Sequence, residues 1–310
     1  MSEGVANIFY FTGFTIMAIL CFTSVVFPYP QEYTTKILGS WEWKDMPTPR
    51  LIKCAKIVLV SALGNALIHF ICRCCYRTFS DRYYTMPFES RVTLSEKVLS
   101  SIHGFILGTT ALNLLLVQQV WLNDVFGQFP VMLDYLFCYS IGYEIYDLGT
   151  MILQDLYVPK YNEGVFWVHH TSMIIGYVIV LFKRKMAFGA VLLMVTEITV
   201  LPSNAHWYLK ASCNQDTRAF HFNQGLRLWC FLIFRLFIAP LLFVTLAWNY
   251  HQFWYEEDVV TKVAVTIITT LLGSMNIMWT KTMAQLYRKR TRLRDKRIAK
   301  LQKAQTDKNK

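Results

Sequence analysis

Eight stretches, each about as long and apolar as one crossing of a bilayer, recur along the chain at 7–27, 52–71, 98–117, 131–153, 165–182, 186–209, 228–248 and 259–279. A hydrocarbon core takes roughly 20 apolar residues per helix, and inside lipid each backbone N–H and C=O must find its partner within the protein. The sequence therefore reads as an all-α membrane protein of about eight transmembrane helices. Composition agrees, because a chain of 310 residues that is 54% hydrophobic and only 16% charged has too few charges to coat a soluble globule. The 165–182 stretch is short and Pro202 interrupts 186–209, so one of the two is expected to tilt or to span only in part.

The formal net charge of +11 is concentrated at one end. Residues 284–310 carry 11 Lys and Arg against two Asp, and so hold +9 of it. A basic face spread over a fold would point to nucleic acid; a single basic tail beside apolar spans excludes nucleic acid as a partner. The tail reads as a solvated segment that aids topology, with contact to anionic lipid as the alternative.

Arginine and lysine also orient the spans. The tail and the 72–97 loop (Arg73, Arg77, Arg82, Arg91) are basic, the loop after 117 has no basic residue, and the loop before 259 is acidic at Glu256, Glu257 and Asp258. Both termini are expected in the cytosol. Two segments run against this rule, 36–56 and Lys183-Arg184-Lys185. The first stretch has no basic residue ahead of it and no small-residue cleavage pattern after it, so it is expected to stay as an anchor. The eight cysteines show no paired spacing and are read as reduced. Cys72, Cys74 and Cys75 beside arginines are placed for S-acylation or are plain juxtamembrane thiols, and a fourth ligand at zinc-finger spacing is missing, so no metal is expected.

An ionisable group at mid-bilayer costs about 3 kcal/mol even on the lenient insertion scale, so each needs a partner or a wet cavity. The predicted spans hold His69, His103, Asn113, Asp134, Glu144, Asp147, His169, His170, Glu197, His206, Arg235 and Asn276. Glu144 and Asp147 are three apart and share a helix face, where two carboxylates call for a His or Arg opposite. His169 and His170 are about 100° apart on a helix, so one lines the interior and the other meets a neighbouring helix. Arg235 requires a carboxylate, and Glu197 or Asp147 would serve. Asp134, His69, Asn113 and Asn276 read as interhelical hydrogen-bonding glue. Ionisable groups from five helices at once point to one common polar cavity inside the bundle.

The chemistry open to such a cavity is narrow. Seven histidines with a single adjacent pair do not supply the histidine boxes of iron-dependent desaturases and hydroxylases. Serine-hydrolase, zinc-protease and Walker motifs are missing as well. An imidazole beside a carboxylate can deprotonate an amine or hydroxyl, or attack a thioester, which leaves acyl transfer as the natural reaction.

Ser101-Ile102-His103-Gly104, Gly142-Tyr143-Glu144-Ile145-Tyr146-Asp147-Leu148, His169-His170, Glu197-Ile198-Thr199, Pro202-Ser203-Asn204-Ala205-His206-Trp207, Phe234-Arg235 and Asn276-Ile277-Met278-Trp279 occur in this order. Together they resemble the TLC-domain family, to which ceramide synthases and translocation-associated membrane proteins belong. The resemblance implies six helices around a cavity over 91–284, preceded by two helices and a cytosolic loop in 1–90 and followed by the basic cytosolic tail 285–310. It also implies the endoplasmic reticulum membrane. In ceramide synthases a paired His is followed by an HDxxD motif. The pair matches His169 and His170, but Thr196-Glu197-Ile198-Thr199-Val200 stands where HDxxD would fall, so the second acid is lost. The resemblance is thus closer to the branch that does not make ceramide.

The function expected is membrane lipid handling. In one form it is an acyl transfer from long-chain acyl-CoA, with His169 or His170 as base or nucleophile, oriented by Asp147 and Glu197. Arg235, His103 and Glu144 would then line the headgroup or acyl-CoA cavity. In the other form the same residues bind, sense or redistribute lipid without catalysis. The partner is a membrane lipid or fatty acyl chain, acyl-CoA is the co-substrate of the catalytic form, no covalently bound cofactor is expected, and a homodimer is compatible with either.

Overall fold

A computed structural model describes residues 48–117, 127, 129–158, 162–212, 217–248, 251, 253–254, 257 and 259–308. The first predicted stretch, Lys36, Glu256 and Asp258 lie outside the described residues. The described chain is a run of helices: α1 (Thr48–Phe79), α2 (Asp81–Thr85), α3 (Phe88–Leu112), α4 (Met132–Tyr157), α5 (Gly164–Lys183), α6 (Ala187–Val195), α7 (Val200–Ala211), α8 (Arg218–Phe231), α9 (Ile238–Trp248) and α10 (Val259–Lys308).

Six uninterrupted helical segments among the described residues are long and apolar enough to cross a membrane: Pro49–Phe79, Ser90–Val117, Gly164–Lys183, Ala187–Ala211, Arg218–Trp248 and Thr261–Lys296. Of the eight expected stretches, the first lies outside the described residues, and the stretch at 131–153 corresponds to α4. Helix α4 is of similar length but less apolar, because Asp134, Glu144, Asp147 and Asp155 interrupt it. It nevertheless packs among the six, and 12 of its residues are buried. The bundle is apolar on its outside, with Leu59, Val60, Leu63, Ile267 and Phe243 exposed, while Glu144, His103 and Arg235 are buried. That inversion is what a lipid solvent selects.

Three turns depart from α geometry. Widened turns at Asn113–Val117 and Leu232–Leu236 continue α3 and α8, and a tight 3-10 turn at Thr196–Thr199 joins α6 to α7. The last has a sequence cause. Pro202 offers no N–H to the carbonyl of Ile198, and its ring crowds that carbonyl, so the break falls one turn before the proline.

In the two segments that run against the charge rule, Arg50, Lys183 and Lys185 are ion-paired. Arg50 binds Asp134 through both carboxylate oxygens, at 2.5 and 3.2 Å, and donates to the Leu181 carbonyl at 3.0 Å. Lys183 and Lys185 lie 3.6 and 3.3 Å from Glu257. Asp134 is thus the partner of a cation, an ionic form of the helix-to-helix glue expected of it. The starts of α1 and α4 meet here, so the two helices run parallel.

At the other extreme α10 does not end near Trp279 but continues to Lys308. The tail contains neither Gly nor Pro and is rich in Arg, Lys, Gln and Ala, all strong helix formers. Most of it is exposed, but Arg290 returns to the bundle, 2.9 Å from His206 Nε2 and over the Phe220 ring. The expectation of a wholly solvated tail is corrected at that residue.

Candidate functional site: an acid–imidazole cluster inside the bundle

The i, i+3 spacing of Glu144 and Asp147 puts both carboxylates on one face of α4, and α5 delivers His170 between them. His170 Nδ1 is 2.5 Å from Glu144 Oε2, and its Nε2 is 3.1 Å from Asp147 Oδ2. Glu144 and Asp147 are 3% and 5% exposed. An imidazole facing a carboxylate at each nitrogen is suited to carry a proton on both, and the resulting cation offsets the buried negative charge. His103, from α3, completes the arrangement. Its Nε2 is 3.7 Å from Glu144 Oε1, and its ring stacks on Tyr143 with centroids 3.6 Å apart and planes at 12°.

The second part of the cluster is built by irregular turns. In a straight α-helix Glu197 and Thr199 would face nearly opposite ways; the 3-10 turn and the widened turn of Leu232–Leu236 bring Thr199 to Arg235. Arg235 Nε donates to Thr199 Oγ1 at 2.7 Å, and Nη1 donates to Asn276 Oδ1 at 3.0 Å. Its guanidinium also lies 4.7 Å from the Trp279 ring centre and 5.1 Å from that of Phe231. The 3-10 turn is clamped from the other side by Gly104, where an added Cβ would come within 2.7 Å of the Glu197 carbonyl oxygen.

This corrects one expectation. Arg235 was expected to pair with Glu197 or Asp147, yet among the described residues no carboxylate lies within ion-pair distance of it. Asp147 is already taken by His170, and the guanidinium is satisfied by a hydroxyl, an amide and two aromatic faces. Glu197 Oε1 is left buried with no hydrogen-bond partner.

His169 does turn away from its neighbour, as the 100° offset requires. Its ring is edge-on to Trp279 at 5.3 Å and to His170 at 5.2 Å, and its Nδ1 is buried without a hydrogen-bond partner. Both nitrogens of His103 also lack a hydrogen bond. The residues proposed from sequence, His103, Glu144, Asp147, His169, His170, Glu197 and Arg235, therefore occupy one region. Thr199, Asn276 and Trp279 belong with them, although sequence reasoning gave Asn276 only a packing role. The i, i+3 spacing of Asn276 and Trp279 was the available signal; Thr199 had none, because its direction depends on a turn that is not α-helical. His69 does act as glue, with its Nδ1 2.5 Å from the Tyr146 hydroxyl.

The lipid-sized hollow expected at the centre is not found there among the described cavities. One of about 80 Å³ lies between α5, α6, α9 and α10, against Tyr177, Leu193, Leu242 and Ile268. Another of about 640 Å³ lies between α1, α3 and α4. No residue of the cluster lines either one.

Comparison with known proteins places the sequence beside TLC-domain proteins. The chain is 22% identical over 210 residues to human TLC domain-containing protein 4, covering 64% of this chain and 76% of that protein. It is 25% identical over 148 residues to TLC domain-containing protein 1 of Gallus gallus, covering 48% of this chain and 57% of the relative, little more than half its length. Neither is a ceramide synthase, and no solved structure matches. The TLC-domain profile matches residues 93–285, the part that holds every member of the cluster. With well over half of its length matched in this way, the chain belongs to the TLC-domain family.

Proposed function

We propose that this multi-spanning protein handles membrane lipid by holding the polar group of a lipid at the acid–imidazole cluster. The observation that carries the reading is the set of unsatisfied buried atoms around the clamp: Glu197 Oε1, His169 Nδ1 and both nitrogens of His103. Each such atom costs about 1–3 kcal/mol if left unpaired, and several in one place are tolerated where a ligand completes them. A lipid group offering both a donor (hydroxyl or amine) and an acceptor (carbonyl or phosphate oxygen) would do so. The family placement and the spans of α1 to α10 favour a lipid over a soluble ligand. The endoplasmic reticulum membrane, with both termini in the cytosol, is part of the same proposal.

A second reading is acyl transfer. His170 has both nitrogens engaged by carboxylates and is better suited to hold charge than to accept a proton. His169 is favoured as the base because its Nδ1 is unclaimed. It would take the proton of an amine or hydroxyl acceptor as that group attacks the acyl-CoA carbonyl; the new C–N or C–O bond forms, the C–S bond breaks, and the proton passes to the departing thiolate.

Mass spectrometry of lipids retained through detergent purification tests the first reading. Wild type is expected to carry a defined lipid that Glu197→Leu and His103→Ala lose. Purification of folded wild type free of lipid overturns it. Turnover of long-chain acyl-CoA that depends on an amine or hydroxyl lipid, and that is abolished by His169→Ala, would establish the second.

A further inference from the structure

The cavity of about 640 Å³ between α1, α3 and α4 shares no lining residue with the cluster and has the polarity of an amphiphile along its length. One end is walled by Ala62, Ala66 and Gly149, small residues that leave room; a Cβ added at Gly149 would meet nothing within 4 Å. Its mouth holds Arg73, Gln154 and His69. Ala62 to Arg73 spans about 16 Å along α1, roughly half the hydrocarbon thickness of a bilayer. The volume is within the usual range for small-molecule sites.

Two groups at the mouth point to what it takes. Arg73 is exposed and makes no ion pair or hydrogen bond among the described residues. Gln154 is 3% exposed, and its Nε2 donates to Glu96 Oε2 at 2.7 Å. That bond fixes the amide orientation, because a carboxylate accepts only from the NH₂ side. Gln154 Oε1 is then buried with no donor. The mouth thus presents a cation for an anionic oxygen beside an acceptor that lacks a hydroxyl or amine.

We infer that this cleft is a lateral site for a glycerophospholipid with a hydroxyl-bearing headgroup. The phosphate meets Arg73, a headgroup hydroxyl donates to Gln154 Oε1, and one acyl chain descends past Ala66 and Gly149. The site is separate from the acid–imidazole cluster and does not rest on the function proposed for it.

Native mass spectrometry of the full-length detergent-solubilised protein, titrated with dioleoylphosphatidylglycerol, tests the site. Wild type is expected to bind one molecule about tenfold more tightly than dioleoylglycerol, which lacks the phosphate. Arg73→Gln, at an exposed position that leaves the fold intact, is expected to erase that difference. Gln154→Leu is expected to remove the preference over dioleoylphosphatidylcholine. Gly149→Phe fills the cleft and is expected to abolish one-to-one binding of all three lipids. Unchanged phosphatidylglycerol affinity in folded Arg73→Gln overturns the proposal. So does a photo-cross-linker at Ala66 that labels another segment of this chain instead of lipid.

Discussion

Two halves of one helix pair behave in opposite ways. Where α1 meets the first half of α4 the helices are in contact: Arg50 grips Asp134, Lys53 reaches the Tyr135 hydroxyl, Ser61 donates to the Tyr139 carbonyl at 2.7 Å, and Gly142 lets the backbones close. A Cβ at Gly142 would sit 2.5 Å from the Val58 carbonyl oxygen. Gly149 is seven residues later, nearly two full turns, and so lies on almost the same face of α4. There an added Cβ would meet nothing within 4 Å, and the cleft begins. The same residue type on the same face closes one half and opens the other. What differs is how closely the neighbouring helix approaches, not the residue type at the position.

The sharpest contrast sets this helix pair against the charged cluster on the neighbouring face of α4. Glu144→Ala leaves the buried His170 imidazole with one carboxylate in place of two, and is expected to cost about 3–5 kcal/mol, read as a drop in the thermal unfolding midpoint in detergent. A cost under 1 kcal/mol would mean that the cluster is not a coupled charge system. Next is Gly142→Val, which forces the closed half apart and should cost about 1–3 kcal/mol. The pair Arg50 and Asp134 is part-exposed, so Asp134→Ala should lower stability by about 1 kcal/mol, and a double-mutant cycle with Arg50→Ala should return most of that as coupling. The smallest effect is expected in the open half: Gly149→Ala should be neutral or stabilising by up to about 1 kcal/mol through helix propensity alone. If Gly142→Val and Gly149→Ala shift stability equally, the two halves are not different.

Much of the site was readable before any coordinates. Glu144, Asp147, His170 and His103 stand out because charge inside an apolar span must be compensated, and the i, i+3 rule puts the two acids together. The partner of Arg235 was not readable. Its sequence neighbours are apolar, and the group that meets it, Thr199, is aimed by a 3-10 turn whose only forewarning is Pro202. Convergent polar residues imply a shared region, but they do not say where on the bundle a wide cleft opens. The cleft of about 640 Å³ lies where Ala62, Ala66 and Gly149 coincide.

The sequence by itself determined that this is an all-helical membrane protein with a charged interior, because hydropathy and the cost of burying charge act residue by residue and need no knowledge of neighbours. It determined as well which acids and imidazoles belong to that interior. Only the tertiary structure decided which of them pair, that Arg50 meets Asp134 while Lys183 and Lys185 meet Glu257, and that a wide cleft lies between α1, α3 and α4. Those outcomes depend on helix crossings and on turns of irregular pitch, which arise from packing many segments at once and leave little trace in any one of them.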